Sequence, residues 1–440
     1  MAFRIASDAM NNSGEIQVHD HSRAFNAAVR KWARRAHAMS GKAPRVRVYF
    51  LFVVLSGSAI FPFSTARTQD NRSAHTSARQ APQSFEQLAE RAQAAEDANR
   101  ISEAILLYQD AVAIRPSWSQ GWWSLGTLLF DSQQFVKARD AFRQFVSVEH
   151  QQPGPGFGML GLTEFELKNY HPALDALEHG RALGLGNNPA FVQRVLYVDG
   201  ILNNLFAQPE IALVRLTRVA NQLASEHPDA PKDAVLEDSE LLDAFGLAAL
   251  RIQKLPKEIP AERGALVREA GHAEALIALQ DRVAAGLEIK QIVEQNPAVS
   301  GVHYMYGVYL LKEDPASAIS EFRREIEVSP ESFAAEIQLA LEFLRTSDFK
   351  EGLPYAEKAV ALAPNNFVAH VACGRLWLGL GKTDRALKEL RIAVGLSPGS
   401  PDAHFALSRA LAEAGQSRKA AQQRAEFERL KAIADANDRR

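Results

Sequence analysis

The sequence has a single cysteine, Cys373, in 440 residues. An internal disulfide, a cysteine-based zinc site and a lipid-modified cysteine near the N-terminus are all excluded. An excess of charge is lacking as well. Fifty Lys and Arg against 52 Asp and Glu leave a formal charge of −2, without the basic surplus by which nucleic-acid binding shows itself. Catalytic and cofactor signatures are missing too: no H-E-x-x-H, G-x-S-x-G or C-x-x-C-H occurs. GLGKT at 379–383 ends like a phosphate-binding loop, but Leu376 stands where the first glycine of G-x-x-x-x-G-K-T belongs, and no strand precedes it. His171 and His179, near Asp175 and Glu178, read as ordinary solvated polarity. No enzyme, metal site or cofactor is expected. What is present is 47% apolar and 23% charged residues in a chain longer than the roughly 300 residues at which single compact domains stop growing. An extended or divided architecture follows.

The N-terminal residues read as export and tether. Residues 45–66 (RVRVYFLFVVLSGSAIFPFSTA) place two arginines before an apolar run from Val48 to about Phe63, with small residues Ser64 and Ala66 after it. That order is a secretory signal: charged, apolar, then small at the cleavage site. Its depth in the chain is odd, and Met39 stands where such a signal would start, so residues 1–38 read as an upstream extension within an unstructured stretch 1–44. The competing reading is a membrane anchor with Arg30, Lys31, Arg34, Arg35, Lys42, Arg45 and Arg47 on the cytoplasmic side. About 16 apolar residues are short against the roughly 20 of a full span. Under either reading the C-terminal mass is exported, to the periplasm or outside the cell, and membrane contact comes only through an uncleaved apolar segment. Residues 67–83 lack apolar periodicity and read as a flexible linker.

From Ser84, a plausible helix N-cap, apolar residues recur at helical spacing in pairs of helices. The most regular part is marked by Pro330, Pro364 and Pro398, which are evenly spaced and stand each just beyond an apolar helical run. His370, Cys373, Gly374, Trp377, Ala386, Leu390, Ala393 and Pro398 fall on the pattern W-x-x-L-G-x-x-Y, then A-x-x-x-F, then A and P. Trp122, Leu125, Gly126, Leu129, Ala138 and Phe142 fall on it too. This resembles the tetratricopeptide repeat, which implies an all-α fold: a right-handed α-solenoid of stacked antiparallel helix pairs, coiled into a superhelix. Gly126, Gly161, Gly307 and Gly374 stand where the two helices of a unit come closest.

Three repeats are expected over 84–187 and four over 299–434, the last helix polar on the outside because no repeat follows to cover it. A tail follows at 435–440. Residues 188–298 are helical but poorly matched and read as two degenerate pairs with inserted loops, or as a boundary between two solenoid segments. There the loop 227–234 breaks the rhythm, KLPKEIPAE at 254–262 is an insertion, and one long apolar pattern runs through Leu266, Leu276, Leu279, Val283, Leu287 and Ile292 to Pro297.

A repeat pair is too small to bury a core alone, so the stack implies a binding surface, not a catalytic one. Residues one place after the core positions of the first helices form a second stripe. In the resembled family that stripe faces a concave groove holding a partner polypeptide. The candidate groove residues are Trp123, Phe130, Phe165, Tyr304, Ile337, Leu344, Arg375, Leu378, Phe405 and Arg409. Their aromatic content suits an interface hot spot, although each aromatic can equally pack on a neighbouring unit. Arg375 and Arg409, in matching places of consecutive repeats, could receive an acidic segment or a C-terminal carboxylate, or stand solvated. Some family members clamp chaperone tails with lysine, asparagine and arginine; Ala89 and Gln93 hold the two leading places here and disfavour that role. His303, His370 and His404 hold the leading core position of three units and read as aromatic replacements for the usual tryptophan. Cys373 reads as a buried, inert thiol. The expected function is an exported scaffold or adaptor for a protein or peptide partner. The alternative is a recruiting or regulatory subunit of a cell-envelope enzyme.

Overall fold

The computed structural model describes residues 84–438. The extension 1–44, the apolar segment 45–66 and the linker 67–83 lie outside the described residues. Among the described residues there are twenty helices and no strand, as expected of an all-α solenoid. No helix among them is long and apolar enough to cross a membrane. The chain divides into two compact units, one ending at Asp199 and the other beginning at Gly200.

The first unit is a stack of helix pairs: α1 (Phe85–Asp97) with α2 (Ile101–Ile114), α3 (Ser119–Asp131) with α4 (Phe135–Val148), and α5 (Gly154–Glu166) with α6 (Tyr170–Leu183). Helix α7 (Pro189–Leu205) carries the division between units. Ser84 starts the stack with a reciprocal cap: its hydroxyl accepts from the Gln87 N–H at 3.3 Å, and its own N–H donates to Gln87 Oε1 at 3.2 Å. Within a pair a small residue on the first helix receives a side chain from the second. A Cβ on Gly126 would sit 2.7 Å from the fully buried Phe142 ring, and one on Gly161 would sit 2.6 Å from Leu177.

The second unit continues with α8 (Pro209–Glu226), the short α9 (Pro231–Leu236), α10 (Ser239–Ala249), α11 (Ala261–Ala278) and α12 (Arg282–Gln295). Four regular pairs follow: α13 (Val302–Leu310) with α14 (Pro315–Val328), α15 (Phe333–Thr346) with α16 (Phe349–Leu362), α17 (Phe367–Gly379) with α18 (Thr383–Leu396), and α19 (Pro401–Glu413) with α20 (Ser417–Asp438). The long apolar pattern from Leu266 to Ile292 is not one helix. It breaks at Gln280, whose φ is +65°, and Asp281 restarts the chain by accepting from the Ala284 N–H. Val283 and Leu287 are 78% and 68% exposed, so their spacing does not mark a buried stripe. The stretch read as loop at 227–234 contains the start of α9, where Pro231 occupies the first turn and Val235 is fully buried.

One turn recurs through both units. At Asn99, Gln133, Lys168, Ala207, Arg251, Gln280 and Ser347, and at Gly381 and Gly415, the backbone turns left-handed. The next N–H then reaches back five residues: Arg100 to the Ala95 carbonyl at 2.8 Å, Gln134 to Leu129 at 2.9 Å, Asp281 to Leu276 at 2.8 Å, Lys382 to Trp377 at 2.9 Å. This closes the first helix and sends the chain back along itself.

Where the irregular helices give way to the regular pairs, α13 has no side-chain cap of its own. Glu325 of α14 supplies one, accepting from the Gly301 N–H at 2.8 Å, the Tyr304 N–H at 3.2 Å and the Ser300 hydroxyl at 3.2 Å. Burial raises the pKa of its carboxyl, and these donors oppose the rise.

Candidate functional site

In four units the first helix is tied to the loop before it by one bond. Trp122 Nε1–H donates to the Pro116 carbonyl, six residues back, at 2.7 Å. His303, His370 and His404 make the same link through Nε2 to the carbonyls of Pro297, Pro364 and Pro398, each at 2.9 Å. A carbonyl oxygen only accepts, so Nε2 carries a proton. Nδ1 then meets the second helix: Glu321 for His303, Glu389 for His370 and Gln423 for His404, each at 2.7 Å. The histidines replace tryptophan in its hydrogen bond as well as its ring, and add a bond across the pair. Both ring nitrogens are engaged in each.

The unit after Pro330 departs from this scheme. Glu336 occupies the histidine's place, buried in α15, and burial pushes its carboxyl up to about 6, with Lys358 pulling the other way. Cys373 on α17 is also buried, and its burial pushes the thiol up to about 12.

The structure places the candidate groove residues in two ways. Trp123 is buried, its ring 5.2 Å from Phe145 and 6.0 Å from Phe142 of the paired helix. Phe130 is buried 5.4 Å from Phe135, and the half-buried Phe165 lies 5.7 Å from Tyr170. Tyr304 is buried against Phe322, with the Arg251 guanidinium 4.9 Å from its ring centre and 3.2 Å from its hydroxyl. Ile337 is buried in a cluster with Ala340, Ala356, Cys373 and Leu376. These side chains pack within and between helix pairs.

The other five come together. Leu344 of α15, Arg375 and Leu378 of α17, and Phe405 and Arg409 of α19 line one cleft of about 250 Å³, with Ser347, Phe349 and Glu413 among its other walls. Three successive first helices thus contribute to one surface. Leu378 is buried, Leu344 and Phe405 are half-buried, and both arginines are exposed. Phe405 is held from behind by Phe427, 5.1 Å away. Arg375 and Arg409 make no ion pair or hydrogen bond among the described residues. Their neighbours behave differently: Arg345 pairs with Glu342 at 2.9 Å and Arg424 with Glu428 at 3.2 Å. Ser347, Phe349 and Glu413 escape a reading of first-helix positions because they lie at helix ends and in the turn.

Among the described residues, no group of three or more His, Cys, Asp or Glu could hold a metal ion. The cleft offers guanidiniums above an apolar floor, which suits recognition.

The family profile of the tetratricopeptide repeat matches residues 89–155, 337–401 and 372–435, so these segments carry tetratricopeptide repeats. Repeats of this class bind protein partners. No curated protein matches the chain significantly. Among solved structures, the chain is similar to MamA 41-end from Desulfovibrio magneticus RS-1, at 20% identity over 38% of this chain and 95% of that one, TM-score 0.36. A crystal structure of MamA matches at 15% identity over 37% and 96%, TM-score 0.35. MamA MSR-1 matches at 18% identity over 38% and 97%, TM-score 0.34.

Proposed function

We propose that the protein is an exported scaffold that holds a partner polypeptide along the first-helix face of residues 333–413. The observation that carries this reading is the cleft shared by α15, α17 and α19, where two unpaired guanidiniums stand beside Leu344, Leu378 and Phe405. A surface combining a half-buried aromatic, aliphatic floor and arginine has the composition of an interface hot spot. Export is supported by the order of charged, apolar and small residues at 45–66, and would be checked by the mass of the mature N-terminus.

A photo-crosslinking residue placed at Leu344, inside the cleft, should capture a defined partner in the native cell. The same residue at Ile392, exposed on the second helix α18, should not. Capture at 392 without capture at 344 would overturn the groove reading.

A further inference from the structure

Arg375 and Arg409 occupy the same place in consecutive repeats, and so leave the same face one unit apart. One repeat earlier the matching residue is Leu341, so the row of positive charge ends at α15 and gives way to apolar surface. Between and beside the guanidiniums lie Leu378, Phe405 and Leu344. Solvated surface arginines are common and need no ligand. These two differ in sharing one cleft while staying unpaired, although Glu413 lies one helical turn after Arg409 in the same cleft wall. Arg324, Arg345 and Arg429, each one helical turn from an acid, all pair with it.

We infer that this cleft receives an extended acidic segment of the partner polypeptide. Two of its carboxylates lie against Arg375 and Arg409, and an apolar side chain between them rests on Leu378 and Phe405. The inference rests on the groove reading above and names the chemistry of its occupant. The planar guanidinium fork matches a carboxylate, and pairing two forks with two carboxylates fixes both spacing and direction of the bound chain. A phosphate group is the poorer fit. Besides the two arginines, Ser347 is the only hydroxyl in the lining, and no lysine joins them. Glu413 is the one acidic group in the lining and works against any anion, which makes it diagnostic.

The test is a random-peptide display library selected on the full chain, followed by affinity measurements on individual synthetic peptides. Enriched sequences should carry paired Asp or Glu around an aliphatic or aromatic residue. Their affinity should fall at least about tenfold in R375Q/R409Q, since each charge-assisted bond lost contributes at that level. It should rise in Glu413→Gln, and it should fall when the peptide acids become amides. Because both arginines are exposed and unpaired, circular dichroism should be unchanged in the double variant. Enrichment of neutral or basic peptides that Phe405→Ala abolishes but R375Q/R409Q does not would leave the groove standing and overturn the acidic ligand. Preference for phosphorylated over carboxylate peptides would overturn it as well. Peptides that bind equally well to wild type, Phe405→Ala and R375Q/R409Q would overturn both the ligand and the groove.

Discussion

Helices α10 and α11 meet backbone to backbone, whereas α17 and α18 meet through a side chain. A Cβ on Gly246 would fall deep inside the Val267 carbonyl oxygen, and one on Gly271 would do the same to the Leu242 oxygen. Each of these two helices thus gives a glycine to the other's main chain, with the fully buried Ala270 and Ala273 beside the contact. In the regular pair, a Cβ on Gly374 would meet Leu390 Cγ at 2.5 Å. Gly307 and Gly126 meet the rings of Phe322 and Phe142 in the same manner. The α10–α11 pair therefore keeps the helix-pair plan at a closer approach. What it gives up is the interlocking side chain, and with it the pattern by which the repeat is recognised.

That contrast is open to direct attack. Gly246→Ala should be the most damaging single methyl in the second unit. A backbone carbonyl cannot rotate away, so the helices must part, at a cost of about 3 kcal/mol. Gly374→Ala asks only Leu390 to shift and should cost about 1 kcal/mol. Urea unfolding of the two variants would measure the difference, and equal losses would dissolve the distinction between the two kinds of pair.

The regular region also contains its own exception, and pH should expose it. Glu336 has a folded pKa of about 6 against an ordinary 4.5. Between those values the folded state holds more protons than the unfolded state, so stability falls as pH rises from about 4.5 through about 6. Glu336→Gln removes the ionisation. It should stabilise the protein by up to about 2 kcal/mol at pH 8 and hardly at all at pH 4. Thermal melts at the two pH values check this; a gain that does not grow with pH would mean that the buried carboxylate is compensated.

The smallest effects belong to the turn that both regions share. Ser347 and Gly381 occupy equivalent left-handed positions in consecutive repeats. Ser347→Gly should stabilise by about 0.5 kcal/mol and Gly381→Ala destabilise by about 1 kcal/mol. Making the glycine exchange at Gln280 as well tests whether the turn in the irregular stretch follows the same rule.

The repeat architecture was legible because proline at a constant interval, with small residues at the close approach, depends on spacing alone. The shared turn was not. Seven of its carriers are residues other than glycine, and nothing in Lys168 or Gln280 announces positive φ. The polar role of the histidines was hidden because its partners, Glu321 and Glu389, lie 18 and 19 residues downstream on another helix. For the site, the position rule found Leu344, Arg375, Leu378, Phe405 and Arg409, which do share a cleft. The same rule also picked Trp123 and Tyr304, and there the rings of Phe142 and Phe322, seated over Gly126 and Gly307, close against them. Whether the second stripe stays open depends on the bulk of the second helix, which the first helix does not reveal.

Cys373 offers a clock. It is the only thiol in the chain, and it sits buried at the heart of α17, in a cluster with Ala340 of α15 and Ala356 and Ala359 of α16. Burial keeps it in the unreactive thiol form, so a thiol reagent reaches it only when α17 parts from α15 and α16. Its rate of modification thus times the opening of the seam between that pair and the repeat that carries Arg375. Any occupant of the cleft that bridges α15 to α17 should slow that clock without ever touching the sulfur.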